Sequence, residues 1–71
     1  MITIKWNTNT FLECIDKDGN DWCESIDAGE EFDVENITII CEDEENGDMV
    51  NIEVEDGIVA SSNSNWFSII D

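Results

Sequence analysis

The chain has 71 residues, which is enough for one domain, and its formal net charge at pH 7 is −17. Its 19 acidic residues are balanced only by Lys5 and Lys17, and it contains neither His nor Arg. Such a surface repels nucleic acid and anionic membranes, because it has almost no cations with which to replace phosphate counterions. The composition therefore excludes direct nucleic-acid and membrane binding, and it favours a cationic partner.

The apolar content indicates a folded chain in spite of this charge. Hydrophobic residues make up 41% of the sequence, with three Trp and three Phe, and they alternate with polar residues in short runs. A domain of this length buries only about 60% of its unfolded surface, so its core is thin. Charge that serves only solubility or a salty habitat is the alternative, but self-repulsion at this density costs stability. A charge-based function is therefore the stronger hypothesis.

The first part of the chain is predicted to form three strands. Apolar and polar residues alternate with a period of two, which is typical of strands and not of helices. The pattern predicts a first strand over Ile2–Trp6, a second over residues 11–16 and a third over Asp21–Ile26. Asp18-Gly19 supplies the positive φ that a two-residue hairpin turn needs. We therefore expect a tight hairpin between the second and third strands.

The register of that hairpin matters for two cysteines. A two-residue turn places Cys14 directly opposite Cys23, with Cα atoms about 4.5 Å apart. It also places Glu13 opposite Glu24, a like-charge pair that destabilises a sheet. Reduced thiols are expected in the cytosol, and a cross-strand disulfide only in an oxidising medium. The three cysteines form no Cys-x-x-Cys pair, so neither a zinc site nor a disulfide framework is predicted.

The longest predicted strand covers residues 31–41, and the phase of its apolar residues changes along it. The apolar positions are even at first and odd later: Phe32, Val34, Ile37 and Ile39. Such a change indicates a bulge or a sharp bend, here near residues 35–36. We expect the bend to let one strand serve two sheets.

The last third of the chain is predicted to contain short strands joined by tight turns. The expected elements are, in order, an acidic hairpin tip (residues 42–48), a strand (50–55), a tight turn at Asp56-Gly57, a strand (58–61), a short loop or single helical turn (62–65) and a closing strand (66–70). Asn46-Gly47 and Asp56-Gly57 are typical hairpin turn pairs.

Together these elements predict an all-β fold, a small antiparallel barrel of five or six strands in a single domain over residues 1–71. Closure is expected because a thin open sheet would leave exposed edges. Over residues 11–71 the pattern resembles the SH3-like β-barrel family. The residues that carry the resemblance are Gly29, Phe32, Val34, Asp56, Gly57, Ile58, Val59 and the run from Trp66 to Ile70. The resemblance implies a short helical turn before the last strand, but without Tyr no groove for proline-rich peptides is expected.

Catalytic chemistry has little support in the sequence. There is no His for a general base, no Arg as an electrophile and no Ser in a nucleophile-elbow context. Carboxylate pairs abound, but a glycosidase-type pair needs a substrate cleft that a domain this small rarely forms. We therefore predict that the protein is not an enzyme and uses no cofactor.

One segment partly matches a calcium-binding loop. Asp16, Asp18 and Asn20 stand at the spacing of the first three ligands of an EF-hand. The match then fails, because Asp21 occupies the sixth position, where the sharp turn needs Gly. A hairpin turn explains the same residues, and no metal site is predicted.

The chain has no apolar run of the roughly 18 residues that a membrane span needs. Met1 is followed directly by the first strand pattern, so no signal peptide is expected. The sequence therefore predicts a cytoplasmic protein.

The carboxylates are predicted to form two strand faces and one hairpin tip. Alternate residues of a strand lie roughly 6.8 Å apart, which is about twice the axial spacing of phosphates along one DNA strand. The strand-face carboxylates alone, or the hairpin-tip carboxylates alone, are explained by a solvated surface. Together they indicate a mimic of nucleic acid. The predicted partner-binding residues are Glu31, Asp33 and Glu35 on one face, Glu53 and Glu55 on another, Glu42, Asp43, Glu44, Glu45 and Asp48 at the tip, and Asp56.

Small acidic β proteins without His resemble the phage-encoded DNA mimics, which include anti-CRISPR and anti-restriction inhibitors. The resemblance implies an inhibitor that occupies the basic nucleic-acid-binding surface of a host defence complex, in the host cytoplasm. Trp22, beside the first turn, is the best candidate for an aromatic anchor. The alternative is an SH3-like structural or adaptor module that binds a protein through its loops or a strand edge.

Overall fold

The computed structural model describes residues 2–71, which form eight strands in two antiparallel sheets. The strands are β1 (Ile2–Trp6), β2 (Thr10–Ile15), β3 (Asp21–Ile26), β4 (Glu31–Val34), β5 (Asn36–Cys41), β6 (Met49–Glu53), β7 (Val59–Asn63) and β8 (Phe67–Ile69). The all-β prediction is confirmed, and β1 and β3 have the expected bounds.

The two sheets do not close into a barrel. The three-stranded sheet has the order β4-β1-β8, and the five-stranded sheet has the order β3-β2-β7-β6-β5. Within residues 2–71 no ladder pairs β3 with β4 or β5 with β8, so each sheet keeps two free edges. The expectation of a closed barrel with five or six strands is therefore corrected to eight strands in two open sheets.

The bend expected near residues 35–36 is present. β4 ends at Val34, β5 begins at Asn36, and Glu35 lies between them. β4 pairs with β1 in the smaller sheet, whereas β5 pairs with β6 in the larger one. One continuous segment therefore serves both sheets, and the change in its apolar phase is the sequence signature of the corner.

The β2–β3 hairpin is closed by a longer turn than expected. Asp16 accepts a backbone hydrogen bond from Gly19, and its carboxylate accepts the N–H groups of Asp18 and Asn20 at 2.9 Å each. Gly19 has φ +87°, and Asp18 does not share the positive φ that a two-residue turn of type I′ requires. The loop is therefore the three-residue kind, a turn followed by a glycine bulge.

The longer loop shifts the β2–β3 register by one residue. Cys14 lies opposite Trp22, and Glu13 lies opposite Cys23. The expected Cys14–Cys23 and Glu13–Glu24 pairs are therefore wrong. The register differs because the Asp16 carboxylate accepts hydrogen bonds from the loop and so stabilises its extra residue.

Two single 3₁₀ turns flank the last long strand, one at Glu55–Gly57 and one at Ser64–Trp66. The second begins after Asn63, whose side chain accepts a hydrogen bond from the Asn65 N–H at 2.8 Å. The helical turn expected before the last strand is thus confirmed, slightly later in the chain because β7 extends to Asn63.

The core lies between the inner faces of the two sheets. Its buried apolar residues are Ile4, Trp6, Leu12, Cys14, Ile26, Val34, Val50, Ile52, Ala60 and Phe67. Trp6 is the centre of an aromatic group, with edge-to-face contacts to Phe32 and Phe67 at centroid distances of 5.9 and 5.4 Å. Such contacts add about 0.5–1.5 kcal/mol each to the burial of the rings.

Candidate functional site

A concavity of about 530 Å³ lies where β3 and β4 leave the core uncovered. We call it the acid-rimmed cleft. Its floor is apolar and includes Leu12, Trp22, Phe32, Ile52, Val54 and Ile58. Its rim carries five carboxylates: Glu24, Glu31, Asp33, Glu55 and Asp56. An apolar floor with a few polar groups around it is typical of binding sites.

Glu24 is the rim residue that the sequence analysis missed. It lies opposite Leu12 in the β2–β3 ladder and so belongs to the inner face of β3. Trp22 and Ile26 share its phase on the strand, and this alternation is the signal that could have found it. A charge on the inner face of an edge strand also discourages another strand from pairing there.

Glu31 and Asp33 border the cleft on β4, where they alternate with the floor residue Phe32 and so belong to the outer face of the strand. Asp33 accepts a hydrogen bond from the Thr3 hydroxyl at 2.8 Å. Lys5 lies opposite Glu31 in the β1–β4 ladder and offsets part of the negative charge there.

Glu55 and Asp56 reach the cleft from the first 3₁₀ turn. β6 ends at Glu53, so the expectation that Glu53 and Glu55 share a strand face is wrong. Asp56 has φ +64°, a left-handed conformation that Asp and Asn tolerate better than most residues. The side chain of Lys17 lies beside Gly57, so both lysines of the chain lie close to this rim.

Two tryptophans line the cleft. The Trp22 Nε1–H donates to Glu24 Oε1 at 2.9 Å, which holds the half-buried ring against the rim. Trp6 is 1% exposed, and its Nε1–H has no hydrogen-bond acceptor. A buried donor without a partner is uncommon in folded proteins and costs about 1–3 kcal/mol.

The acidic tip (residues 42–48) joins β5 to β6. Asp43 organises it, because one carboxylate oxygen accepts the N–H groups of Glu45 and Asn46 at 3.0 and 3.1 Å. The Asp48 carboxylate accepts the Asp43 N–H at 3.1 Å. Asp43 and Asp48 therefore shape the tip, while Glu42, Glu44 and Glu45 are exposed.

Two carboxyl groups have lowered pKa values because they accept hydrogen bonds within turns. The backbone and then the side chain of Asn46 lower the pKa of Asp43, and those of Asn20 lower the pKa of Asp16. Since these values are lower in the folded chain, both turns stabilise the fold at neutral pH. That contribution is lost as the pH falls below the ordinary value of 3.8 and through the lowered values.

The remaining predicted residues lie at the corner between the sheets. The Glu35 N–H donates to the Glu53 carbonyl at 2.8 Å, which brings these two exposed residues together. Neither lines the acid-rimmed cleft. The predicted set is thus divided among the cleft, the tip and this corner.

A second opening of the core lies between β5 and β8, and it encloses about 320 Å³. We call it the apolar seam. It is lined chiefly by Ile37, Ile39, Val50, Phe67 and Ile69, with Asp48 as its carboxylate. Ile39 is 54% exposed and Ile69 is 63% exposed.

The three cysteines are free thiols. Cys14 lies in the core, and burial, followed by the negative fields of Glu24 and Cys23, raises its pKa. Within residues 2–71, no three acidic, Cys or His side chains are grouped so that they could hold a metal ion. The Asp16 carboxylate is instead occupied by hydrogen bonds from the turn.

Comparison with protein-family models, with curated proteins and with solved structures found no match to this chain. No helix in the described part of the chain is long and apolar enough to cross a membrane. The candidate site is therefore assigned from the chemistry of its own residues.

Proposed function

We propose that the protein binds the basic nucleic-acid-binding surface of another protein and blocks it, as a DNA-mimic inhibitor of the anti-CRISPR type does. The observation that supports this is the concentration of exposed carboxylates at the cleft rim and at the tip. Their hydrogen-bond donors, where they have them, are neutral groups such as Thr3, Trp22 and backbone amides. Such carboxylates can pair with Lys and Arg that otherwise hold phosphates.

In the proposed mechanism, the carboxylates of this chain compete with nucleic-acid phosphates for the Lys and Arg side chains of the partner. Arginine pairs with carboxylates in a bidentate manner, as it does with phosphates. Long-range attraction between oppositely charged surfaces speeds association and leaves the partner unable to hold nucleic acid. The formal net charge of −17 at pH 7 is the source of this attraction.

The test is capture of proteins from a host lysate at low salt, with and without competing DNA. We expect the captured proteins to be nucleic-acid-binding proteins that DNA displaces. A variant with six fewer charges, combining Glu24→Gln, Glu31→Gln, Asp33→Asn, Glu42→Gln, Glu44→Gln and Glu45→Gln, should lose them. Asp43 is left unchanged because it shapes the tip. Retention of the same proteins by the six-charge variant would contradict the proposal.

The second candidate function is an adaptor module, an open variant of the SH3-like fold that adds a partner's strand to β5. One observation favours it: β5 (Asn36–Cys41) is a free edge without a charged residue. Ile39 and Ile40 are both more than half exposed next to a register shift in the strand. An extended segment of another protein could pair with this edge through backbone hydrogen bonds.

The variant Ile39→Asn separates the two candidates, because it changes the β5 edge without changing the net charge. The inhibitor function predicts that capture of DNA-displaced proteins survives this change. The adaptor function predicts that partner binding is lost in Ile39→Asn and retained in the six-charge variant.

A further inference from the structure

The acid-rimmed cleft combines three features that a merely solvated acidic surface lacks. It is a concavity that offers about 530 Å³ of space. Its floor exposes the aromatic side chains of Trp22 and Phe32 to that space. Its rim places carboxylates on three separate elements, namely β3, β4 and the turn Glu55–Gly57.

We propose that this cleft binds an arginine side chain of the basic partner, an inference that rests on the proposed function and names its anchoring site. Arginine has an apolar three-carbon stem and a planar, permanently charged head. The stem fits the aliphatic floor at Val54 and Ile58, and the guanidinium stacks on Trp22 while its N–H groups reach the rim carboxylates.

The geometry favours arginine over lysine. Glu24 holds the Trp22 ring through the 2.9 Å hydrogen bond to Nε1, so an aromatic face is already fixed beside a carboxylate. A guanidinium can stack on that face and donate in its own plane to carboxylates at the same time, whereas an ammonium is a compact, strongly hydrated point charge. Glu24 shares the inner face of β3 with Trp22, so this carboxylate lies on the same side of the strand as the aromatic ring.

The unpartnered indole of Trp6 is an independent observation on the same cleft. Trp6 lines it, and its buried Nε1–H donates to no acceptor in the described structure. Buried donors normally have a partner. The Trp6 ring is part of the wall of the cleft, so its indole N–H signal reports on what the cleft holds.

The test is an NMR titration of the whole protein with the peptide acetyl-Gly-Arg-Gly-amide at physiological salt. The three tryptophan indole N–H signals report on different places, since Trp6 and Trp22 line the cleft and Trp66 does not. We expect saturable shifts at Trp22 and Trp6 and little change at Trp66. The peptide with citrulline, the neutral isostere of arginine, should bind about tenfold more weakly, because it loses the charge-assisted hydrogen bonds.

Two variants with equal charge loss make the assignment specific. The rim variant (Glu24→Gln, Glu31→Gln, Asp33→Asn) keeps oxygen acceptors for Trp22 and Thr3 and should weaken the arginine peptide about tenfold. The tip variant (Glu42→Gln, Glu44→Gln, Glu45→Gln) should leave its affinity within about twofold.

Equal binding of the arginine and citrulline peptides would overturn the inference, and so would equal losses in the rim and tip variants. This result is distinguishable from failure of the proposed function, because the titration needs no partner protein. Capture of DNA-displaced proteins without any arginine-peptide shift at Trp22 would leave the function standing and remove the cleft from it.

Discussion

The acid-rimmed cleft and the apolar seam are two openings of the same core with opposite chemistry. Both exist because the sheets do not close, leaving β3 and β4 free on one side and β5 and β8 on the other. Five carboxylates surround the first opening, whereas Asp48 is the carboxylate of the second. In a chain with 19 acidic residues, β5 carries none. The negative charge therefore differs between the two openings of the core.

The edge strands β3 and β5 differ in how well they are protected from pairing with a strand of another molecule. β3 carries Glu24 on its inner face and Asp21 at its start, and charges of this kind discourage pairing with another strand. β5 has no charged residue, so its edge lacks that protection. The proposed electrostatic binding therefore belongs to the acid-rimmed cleft, and the alternative strand pairing belongs to the β5 edge.

The largest expected effect on stability comes from comparing a buried residue of the cleft floor with an exposed residue of the apolar seam. Ile52 is 1% exposed on the cleft floor, and Ile39 is 54% exposed in the apolar seam. Ile52→Ala should lower the free energy of unfolding by about 2–5 kcal/mol, because it leaves a cavity. Ile39→Ala should change it by no more than about 0.5 kcal/mol. Urea denaturation followed by tryptophan fluorescence measures both, and equal losses would contradict the assigned burial.

A smaller effect compares the loops beside the two openings. Gly19 and Gly47 both have φ +87°, so alanine at either costs about 1–2 kcal/mol of stability. A Cβ at Gly19 meets open space, whereas at Gly47 it would overlap the side-chain amides of Asn63 and Asn65. Gly47→Ala should therefore lose at least about 1 kcal/mol more than Gly19→Ala. Thermal or urea unfolding of the two variants decides this, and the reverse order would show that the tip is packed differently.

The smallest expected effect concerns the lysine beside the cleft. Lys17 lies next to Gly57 in the turn that carries Glu55 and Asp56. Lys17→Gln removes a cation from this rim and should strengthen binding of the arginine peptide by about twofold. The same NMR titration measures the change. Weaker binding in this variant would mean that the rim charges do not act on the peptide.

Much of the fold could be predicted from local patterns. Alternation located β1 and β3, and the change of phase between Val34 and Ile37 located the corner between the sheets. The β2–β3 register could not be predicted in this way, because the hydrogen bonds of the Asp16 carboxylate decide the loop length. The prediction of a closed barrel was wrong for a similar reason, because the pairing of sheet edges depends on strands that are distant in the sequence.

The candidate site was only partly predictable. Glu31, Asp33, Glu55 and Asp56 were among the predicted residues and do lie around one cleft. Glu24 was missed because the expected register placed it opposite Glu13, whereas it lies opposite the buried Leu12. The cleft itself depends on the absence of a β3–β4 ladder, which is a property of the assembled sheets.

The most direct test of the central claim is the salt dependence of binding to a captured, DNA-displaced partner. Electrostatic recognition through exposed carboxylates predicts a steep loss of affinity, at least about tenfold, between about 0.1 M and about 0.5 M NaCl. The rim and tip variants should both show a shallower dependence. An affinity that is unchanged by salt and is lost in Ile39→Asn would contradict the account and assign binding to the apolar edge.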